Sequence, residues 1–347
     1  MWHMFILPLF LSAILFFDTD GSLEKHAAIS AYAVNMETGE VLLDKNSDKS
    51  LAPASCMKVV TTAAALQLLG PEMRFQTDLE YDGVLGEDGT LCGNLYIRGG
   101  GDPCLGSDRI APALSWEKQV DAWAAEVQKL GVKRILGHVI GDASLWERAL
   151  AAPGWTWEDL GNYYGAGACA LSFHENAYTL FFKPGEKEGD KTAVLRTEPK
   201  IPKLVFHNEV KTGPVGSGDQ ACIYGVEYVP VHFLRGTVPA GVEAFSIRGA
   251  IPDPAAFCAA SLKEALRTKG IVVEQGALPV QGKREAFYTT LSPPLKDIVY
   301  WTNQKSLNLH PEHLLKKMGE GSTRKGTQVV TEFWRAQGID LEGFNMA

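Results

Sequence analysis

The 347-residue chain is poor in cysteine: Cys56, Cys92, Cys104, Cys169, Cys222 and Cys258 are scattered, with no Cys-x-x-Cys pair among them. That scatter argues against a structural zinc site and against a dense disulfide framework, both of which need closely grouped thiols. One or two bridges stay open. Cys56 reads as a small packing residue. His310, Glu312 and His313 lie close together but lack His-Glu-x-x-His spacing, and no Gly-Lys-Ser/Thr follows Gly99-Gly100-Gly101. Neither a metal nor a phosphate loop is expected, and no cofactor. Basic residues are also short, 33 Lys and Arg against 41 Asp and Glu for a net charge of −8, with no basic cluster threaded by aromatics. Nucleic acid is therefore not an expected partner. Internal repeats and low-complexity linkers are absent, and so is any long apolar run but one.

That run, residues 4–17, is 14 residues long. It is shorter than the roughly 20 needed to span a bilayer and fits the apolar core of a secretory leader. The expectation is a leader over residues 1–21, cleaved after Gly21, and an extracytoplasmic, periplasmic protein. An uncleaved anchor, and with it peripheral membrane association, stays open. The chain as a whole has the composition of a globular protein, 46% hydrophobic and 21% charged. Its length implies two or three domains.

Residues 29–34 and 40–43 flank Met36-Glu37-Thr38-Gly39 and predict a hairpin. Residues 59–69 predict an apolar helix that stops at Gly70. Apolar residues Val120, Trp123, Ala124, Val127 and Leu130 recur on one face, predicting a helix over 116–130. Residues 134–140 read as one strand. The stretch 165–250 is rich in strands and turns. Asp253-Pro254 pairs a cap with proline at the first helical position and predicts a helix that stops before Gly270. From Leu295 the pattern is helical, over 295–302, 311–318 and 328–337. Trp155, Trp157, Tyr163 and Tyr164 read as core or interface rather than a sugar platform.

The chemistry gathers at Ser55-Cys56-Met57-Lys58, at the mouth of the first helix. Three residues is close to one helical turn, so Ser55 and Lys58 share a face. A serine hydroxyl is a poor nucleophile until a base takes its proton, and a lysine whose charge is disfavoured can do so. The positive end of the helix suits a developing oxyanion. Alone, the tetrad is equally a capped helix start with a solvated lysine. Late in the chain, Ser306-Leu307-Asn308 offers a hydroxyl to shuttle a proton and an amide to hold a carbonyl; an ordinary turn before a helix is the alternative.

The two motifs in this order and at this spacing resemble the active-site serine penicillin-binding proteins. They match best the D-alanyl-D-alanine carboxypeptidase/endopeptidases with a large insert between the motifs. The resemblance runs from about Ala28 to Ala347 and also rests on Gly99-Gly100-Gly101-Asp102-Pro103, Gly141-Asp142-Ala143-Ser144, Tyr164-Gly165-Ala166, Ala170-Leu171-Ser172, Glu175-Asn176, Pro184-Gly185 and Ser292-Pro293-Pro294-Leu295. It implies an α/β (α+β) fold: a transpeptidase/β-lactamase-like domain over 22–75 and 290–347, interrupted by nested β-rich insert domains over 76–289. It implies acylation of Ser55 by peptidoglycan stem peptides and by β-lactams, with Lys58 as base and Ser306 and Asn308 handling proton transfer and positioning. Asp142 would meet the side-chain amine of a diaminopimelate-type residue; capping its own turn is the alternative.

The third motif of that family, Lys-Thr-Gly downstream of Ser-x-Asn, has no counterpart there. The one copy, Lys211-Thr212-Gly213, precedes Ser306 and reads as a coincidence in a turn. The expectation is an incomplete catalytic domain, from a truncated or decayed gene, with little turnover of its own. A non-catalytic wall-binding or penicillin-binding relic is the rival reading.

Overall fold

The computed structural model describes residues 27–274, 282–344 and 346. The leader expected over residues 1–21 lies outside them. Among the described residues no helix is long and apolar enough to cross a membrane. The chain forms two compact units, one of residues up to 54 with a short stretch beginning at Glu342, the other of residues 55–341.

The first unit is the expected hairpin. Ala31–Val34 pairs antiparallel with Val41–Lys45. Its turn is set by Asn35, whose side-chain oxygen accepts from the Glu37 and Thr38 N–H groups at 2.9 and 3.2 Å. Such an Asx turn is why asparagine favours this position.

The second unit holds two hydrophobic clusters. In one, helix α1 (Met57–Leu69) packs against three helices from the far end of the sequence, α5 (Leu295–Lys305), α6 (Leu309–Met318) and α7 (Thr323–Ala336). Ala64 and Ala65 meet Leu295, Ile298, Leu314, Leu315 and Val330 there. The small alanines let α1 approach its partners closely. Polar bonds fix its position: Asn303 Nδ2 donates to Thr62 Oγ1 at 3.2 Å, and the Trp334 indole N–H donates to the Val60 carbonyl at 3.2 Å. All three C-terminal helices begin within five residues of the expected positions.

The chain leaves this helical group near Phe75 and returns near Ser292, and the two crossings are clasped. Phe75 N–H donates to Ser292 Oγ at 2.8 Å, and Ser292 N–H returns to Phe75 O at 2.9 Å. Between them lies the second cluster, around Trp123, Phe173, Leu180, Phe182 and Leu262. A four-stranded sheet runs in the order Glu285–Leu291, Gln76–Tyr81, Leu95–Arg98, Val139–Asp142. A second runs Val272–Glu274, Arg134–Leu136, Thr90–Cys92, Val84–Leu85. Helix α2 (Trp116–Lys129) packs on α4 (Pro254–Thr268), whose cap forms as expected: Asp253 accepts from Ala256 N–H at 2.9 Å. The short α3 is Trp157–Leu160. The β-rich middle forms a three-stranded sheet, with Ala177–Lys183 at its centre, and a four-stranded sheet built on Val231–Pro239.

Several expectations are corrected. The single strand over 134–140 is two strands in different sheets, broken at Gly137, where a Cβ would collide with the Gly93 carbonyl. Lys211–Gly213 is no turn but a short strand, parallel to part of Val231–Pro239, with Thr212 buried. Trp157, Tyr163 and Tyr164 are 53%, 46% and 42% exposed, so they are not core. Cys56 is exposed as well, and packs nothing inside.

Candidate active site

The first turn of α1 carries no side-chain cap; it continues a 3-10 turn, Ala54–Cys56. Ser55 and Lys58 therefore face the same way, and Lys58 Nζ lies 2.7 Å from Ser55 Oγ. On the other side, α5 ends at Ser306, which takes the left-handed conformation (φ 53°, ψ 40°) that closes a helix, its N–H donating to the Thr302 carbonyl. This turn brings Ser306 Oγ within 3.2 Å of the same Lys58 nitrogen, across 248 positions of sequence. One amine thus bridges two serine hydroxyls. A non-glycine residue in this conformation costs about 1 kcal/mol or more, and such strain gathers at functional positions.

Burial pushes the Lys58 ammonium down from the ordinary lysine value, and the Glu312 carboxylate pulls it back up. Glu312 lies on the first turn of α6, half-buried. Burial pushes its carboxyl up to about 7, against the pull of Lys316 and Lys58. Lys316, one turn on, is fully buried; its Nζ donates to the Ala149 and Ala168 carbonyls and lies 3.9 Å from Glu147. Nothing in the sequence marks Glu312 and Lys316 for this role beyond their spacing on an apolar helix, four residues apart.

Asn308 sits at the start of α6, two residues beyond Ser306, and its Nδ2 donates to the Tyr164 carbonyl at 2.8 Å. Its amide is thereby fixed to the Tyr163–Gly165 turn. His310 and His313 are spent on structure. His310 Nδ1 pairs with Thr302 Oγ1 at 3.0 Å, while His313 pairs with the Leu309 carbonyl and Ser172 Oγ, each at 2.8 Å. Burial drives both imidazoles down, to about 4 and about 3, so both are neutral at pH 7.

Asp142 is engaged elsewhere. It ends its strand bonded to Arg284, and its Oδ1 accepts from Ser144 N–H at 2.9 Å. Arg284 also lies 3.6 Å from Glu80 and stacks 3.8 Å from the Tyr96 ring centre. Burial raises the Asp142 carboxyl, but the bonds from Ser144 and Arg284 outweigh it and the net shift is downward. The turn-capping alternative is present in the bond from Ser144 N–H, and the amine-reading role meets a carboxylate that already holds a cation. Lys211 stands in the sheet built on Val231–Pro239, and Lys191 bridges to it. The structure thus joins Ser55, Lys58 and Ser306 directly, with Asn308 two residues beyond Ser306 and bonded to Tyr164; it pairs Asp142 with Arg284 and puts Lys211 on the sheet built on Val231–Pro239.

The chain is 28% identical to a D-alanyl-D-alanine carboxypeptidase of an Actinomadura species, over 94% of this chain and 62% of that protein. It is 25% identical to the D-alanyl-D-alanine carboxypeptidase DacB of Haemophilus influenzae, over 93% of this chain and 66% of that protein. It therefore spans a little under two thirds of the length of these relatives. The crystal structure of penicillin binding protein 4 (dacB) from Haemophilus influenzae superposes with a TM-score of 0.72 at 24% identity, covering 90% of this chain and 68% of that one. A second, complexed with a β-lactam, gives 0.66 at 22% identity, covering 90% and 66%. The expected mixed α/β fold is the one these structures share. The sequence pattern of the D-Ala-D-Ala carboxypeptidase 3 (S13) family matches residues 16–347, and the chain belongs to that family.

Proposed function

We propose that this site performs serine acyl transfer on D-Ala-D-Ala stem peptides of peptidoglycan, and that β-lactams acylate it. The observation that carries the proposal is the Lys58 amine lodged between two serine hydroxyls. Lys58 in its neutral form accepts the Ser55 proton as Ser55 Oγ attacks the penultimate carbonyl. The positive end of α1 faces the developing oxyanion. Collapse of the tetrahedral adduct breaks the peptide bond, and the leaving D-alanine amine takes a proton relayed from Lys58 through Ser306. Water then hydrolyses the Ser55 ester. Asn308, held by Tyr164, orients the peptide beside the serine. An endopeptidase reaction would use the same steps on a cross-linked peptide.

In this reading residues 22–75 and 290–347 carry the chemistry and 76–289 frame the substrate. The substrate implies an extracytoplasmic protein and the leader expected from the sequence. Labelled penicillin is expected to attach at Ser55. Ser55→Ala should abolish the label, and Lys58→Ala should slow its attachment about 10²–10⁴-fold. Label that persists in Ser55→Ala would overturn the nucleophile. Labelling without release of D-alanine from a D-Ala-D-Ala peptide would favour the non-catalytic penicillin-binding reading.

A further inference from the structure

His174, Glu175 and Asn176 all lie in the left-handed region, at φ 56°, 55° and 51°. Side chains with a Cβ avoid that region, and such strain gathers at functional positions. Asn176 fixes the turn: its Oδ1 accepts from Phe173 N–H at 2.9 Å, and its Nδ2 donates to Ser172 Oγ at 2.7 Å. The turn sets the Glu175 carboxylate between two guanidiniums from distant parts of the chain. Arg109 Nε donates to Glu175 Oε1, and Arg248 Nη2 lies 3.5 Å from Glu175 Oε2. Ser107 Oγ adds a bond to Oε1 at 2.7 Å. Arg109 precedes Ile110, which is buried in the helical cluster with Leu295 and Leu314, while Arg248 belongs to the strand Phe245–Ala250. The charges of Glu175 and Arg109 both act on His310, inside α6. A second set of contacts leads to Asn308. The Arg248 guanidinium lies 4.6 Å over the Tyr163 ring, Tyr163 meets Tyr164 edge-on with centres 5.5 Å apart, and the Tyr164 carbonyl holds Asn308.

Charge and donors are left over in this cluster. Burial raises the Glu175 carboxyl, but the bonds from Arg109 and Ser107 and the two guanidinium charges outweigh it, so it stays ionised at pH 7. One carboxylate against two guanidiniums leaves a positive charge in excess. A guanidinium carries several N–H donors in a planar fork, and each arginine uses only one nitrogen on Glu175. Arg109 Nη1 and Nη2, and Arg248 Nε and Nη1, have no hydrogen-bond partner among the described residues. The two side chains are 43% and 39% exposed, so the guanidiniums are not sealed from a ligand.

We infer that Arg109 and Arg248 receive a free carboxylate carried by the body of the stem peptide, upstream of the bond that Ser55 attacks. This deepens the stem-peptide reading above and rests on it. The contacts lead away from Ser306 through Asn308, Tyr164 and Tyr163, so the carboxylate is not that of the D-alanine that leaves. A γ-linked D-glutamate supplies one, since its side-chain carboxyl forms the peptide bond and its α-carboxylate stays free. Planar guanidiniums suit a carboxylate, which accepts through both oxygens. Glu175 is a positioning residue, holding the two arginines together against their repulsion.

The probes are the pentapeptide L-Ala-γ-D-Glu-L-Lys-D-Ala-D-Ala and the same peptide with the α-carboxylate of its D-glutamate amidated. Binding is read by calorimetry on the full chain carrying Ser55→Ala, which cannot be acylated there. The acid should bind about tenfold more tightly than the amide. Arg248→Gln, added to Ser55→Ala, leaves Glu175 paired with Arg109 and should bring the two peptides within about twofold by weakening the acid alone. Arg248→Lys keeps the charge and should restore part of the preference. Equal binding of acid and amide to the Ser55→Ala protein overturns the proposal, and so does failure of the acid to bind. A loss shared equally by both peptides in Arg248→Gln assigns that arginine to the architecture and overturns it as well. Should Arg248→Gln not fold, Arg109→Gln carries the same expectation. The readout is independent of acylation. Penicillin label at Ser55 with equal binding of the two peptides sinks this inference alone, whereas a kept acid preference with no label on the wild type sinks the reaction alone.

Discussion

Lys58 has to be neutral to act as a base, and it has a carboxylate pulling against that. Burial lowers its pKa; Glu312, when ionised, raises it. Glu312→Gln removes the opposing charge and should move the acid limb of the penicillin-labelling rate to lower pH. The shift expected is about one pH unit or less, the scale of a charge pair near a protein surface. An acid limb that stays in place would show that Glu312 does not act on Lys58. The same variant tests stability. A carboxyl raised to about 7 binds its proton more tightly in the folded state than in the unfolded one. Its contribution is therefore full below the ordinary carboxylate range and fades as pH rises through about 7. Glu312→Gln should flatten the pH dependence of the unfolding midpoint between roughly pH 4.5 and 7. The carboxylate escaped the sequence because nothing in Pro311-Glu312-His313 shows that a helix 250 positions away will bury it.

At the scale of elements, the site depends on how two helices end. Helix α1 begins without a side-chain cap, running on from the 3-10 turn Ala54–Cys56 that carries Ser55. Helix α5 ends in a serine at positive φ where glycine is the usual choice. Ser306→Gly should stabilise the fold by about 1 kcal/mol, the left-handed penalty for a residue with a Cβ, while slowing acylation because the relay hydroxyl is lost. Denaturant midpoints and labelling rates measured on one preparation separate the two effects. A Ser306→Gly protein that labels as fast as wild type would remove Ser306 from the relay. The helices themselves were legible: apolar periodicity found α2, and Asp253-Pro254 marked the start of α4. The break at Gly137 was not, because the run Arg134 to Ile140 is continuously strand-like. Only the close approach of the Gly93 backbone splits it between two sheets.

At the scale of the molecule, Asp142 and Lys211 both stand in the stretch between the clasped crossings at Phe75 and Ser292. Asp142 stands bonded to Arg284, so an amine-bearing substrate would have to displace that guanidinium or share the carboxylate. If Asp142 reads the stem-peptide amine, Asp142→Ala should lower kcat/KM for amine-bearing substrates about tenfold or more, and leave an acetylated D-Ala-D-Ala peptide unaffected. An equal loss on both would assign Asp142 to the architecture around Arg284 and Glu80. Lys211→Ala tests the displaced third motif. With Lys211 on the sheet built on Val231–Pro239, penicillin labelling should be unchanged, and a large loss would return the triad to the mechanism.

The sequence by itself determined the order and spacing of Ser55, Lys58, Ser306 and Asn308, and the pairing of Ser55 with Lys58, because three residues on one helix are a local matter. Their resemblance to a family, and the mixed α/β class, were likewise carried by local motifs in order. The tertiary structure alone decided that Lys58 also reaches Ser306, that Glu312 acts on it, that Asn308 is held by Tyr164, and that Asp142 already has a cation. Each of these depends on contacts between residues far apart in the chain. Such contacts follow from how alanine-faced helices nest and how two crossings are clasped, and no local pattern encodes them.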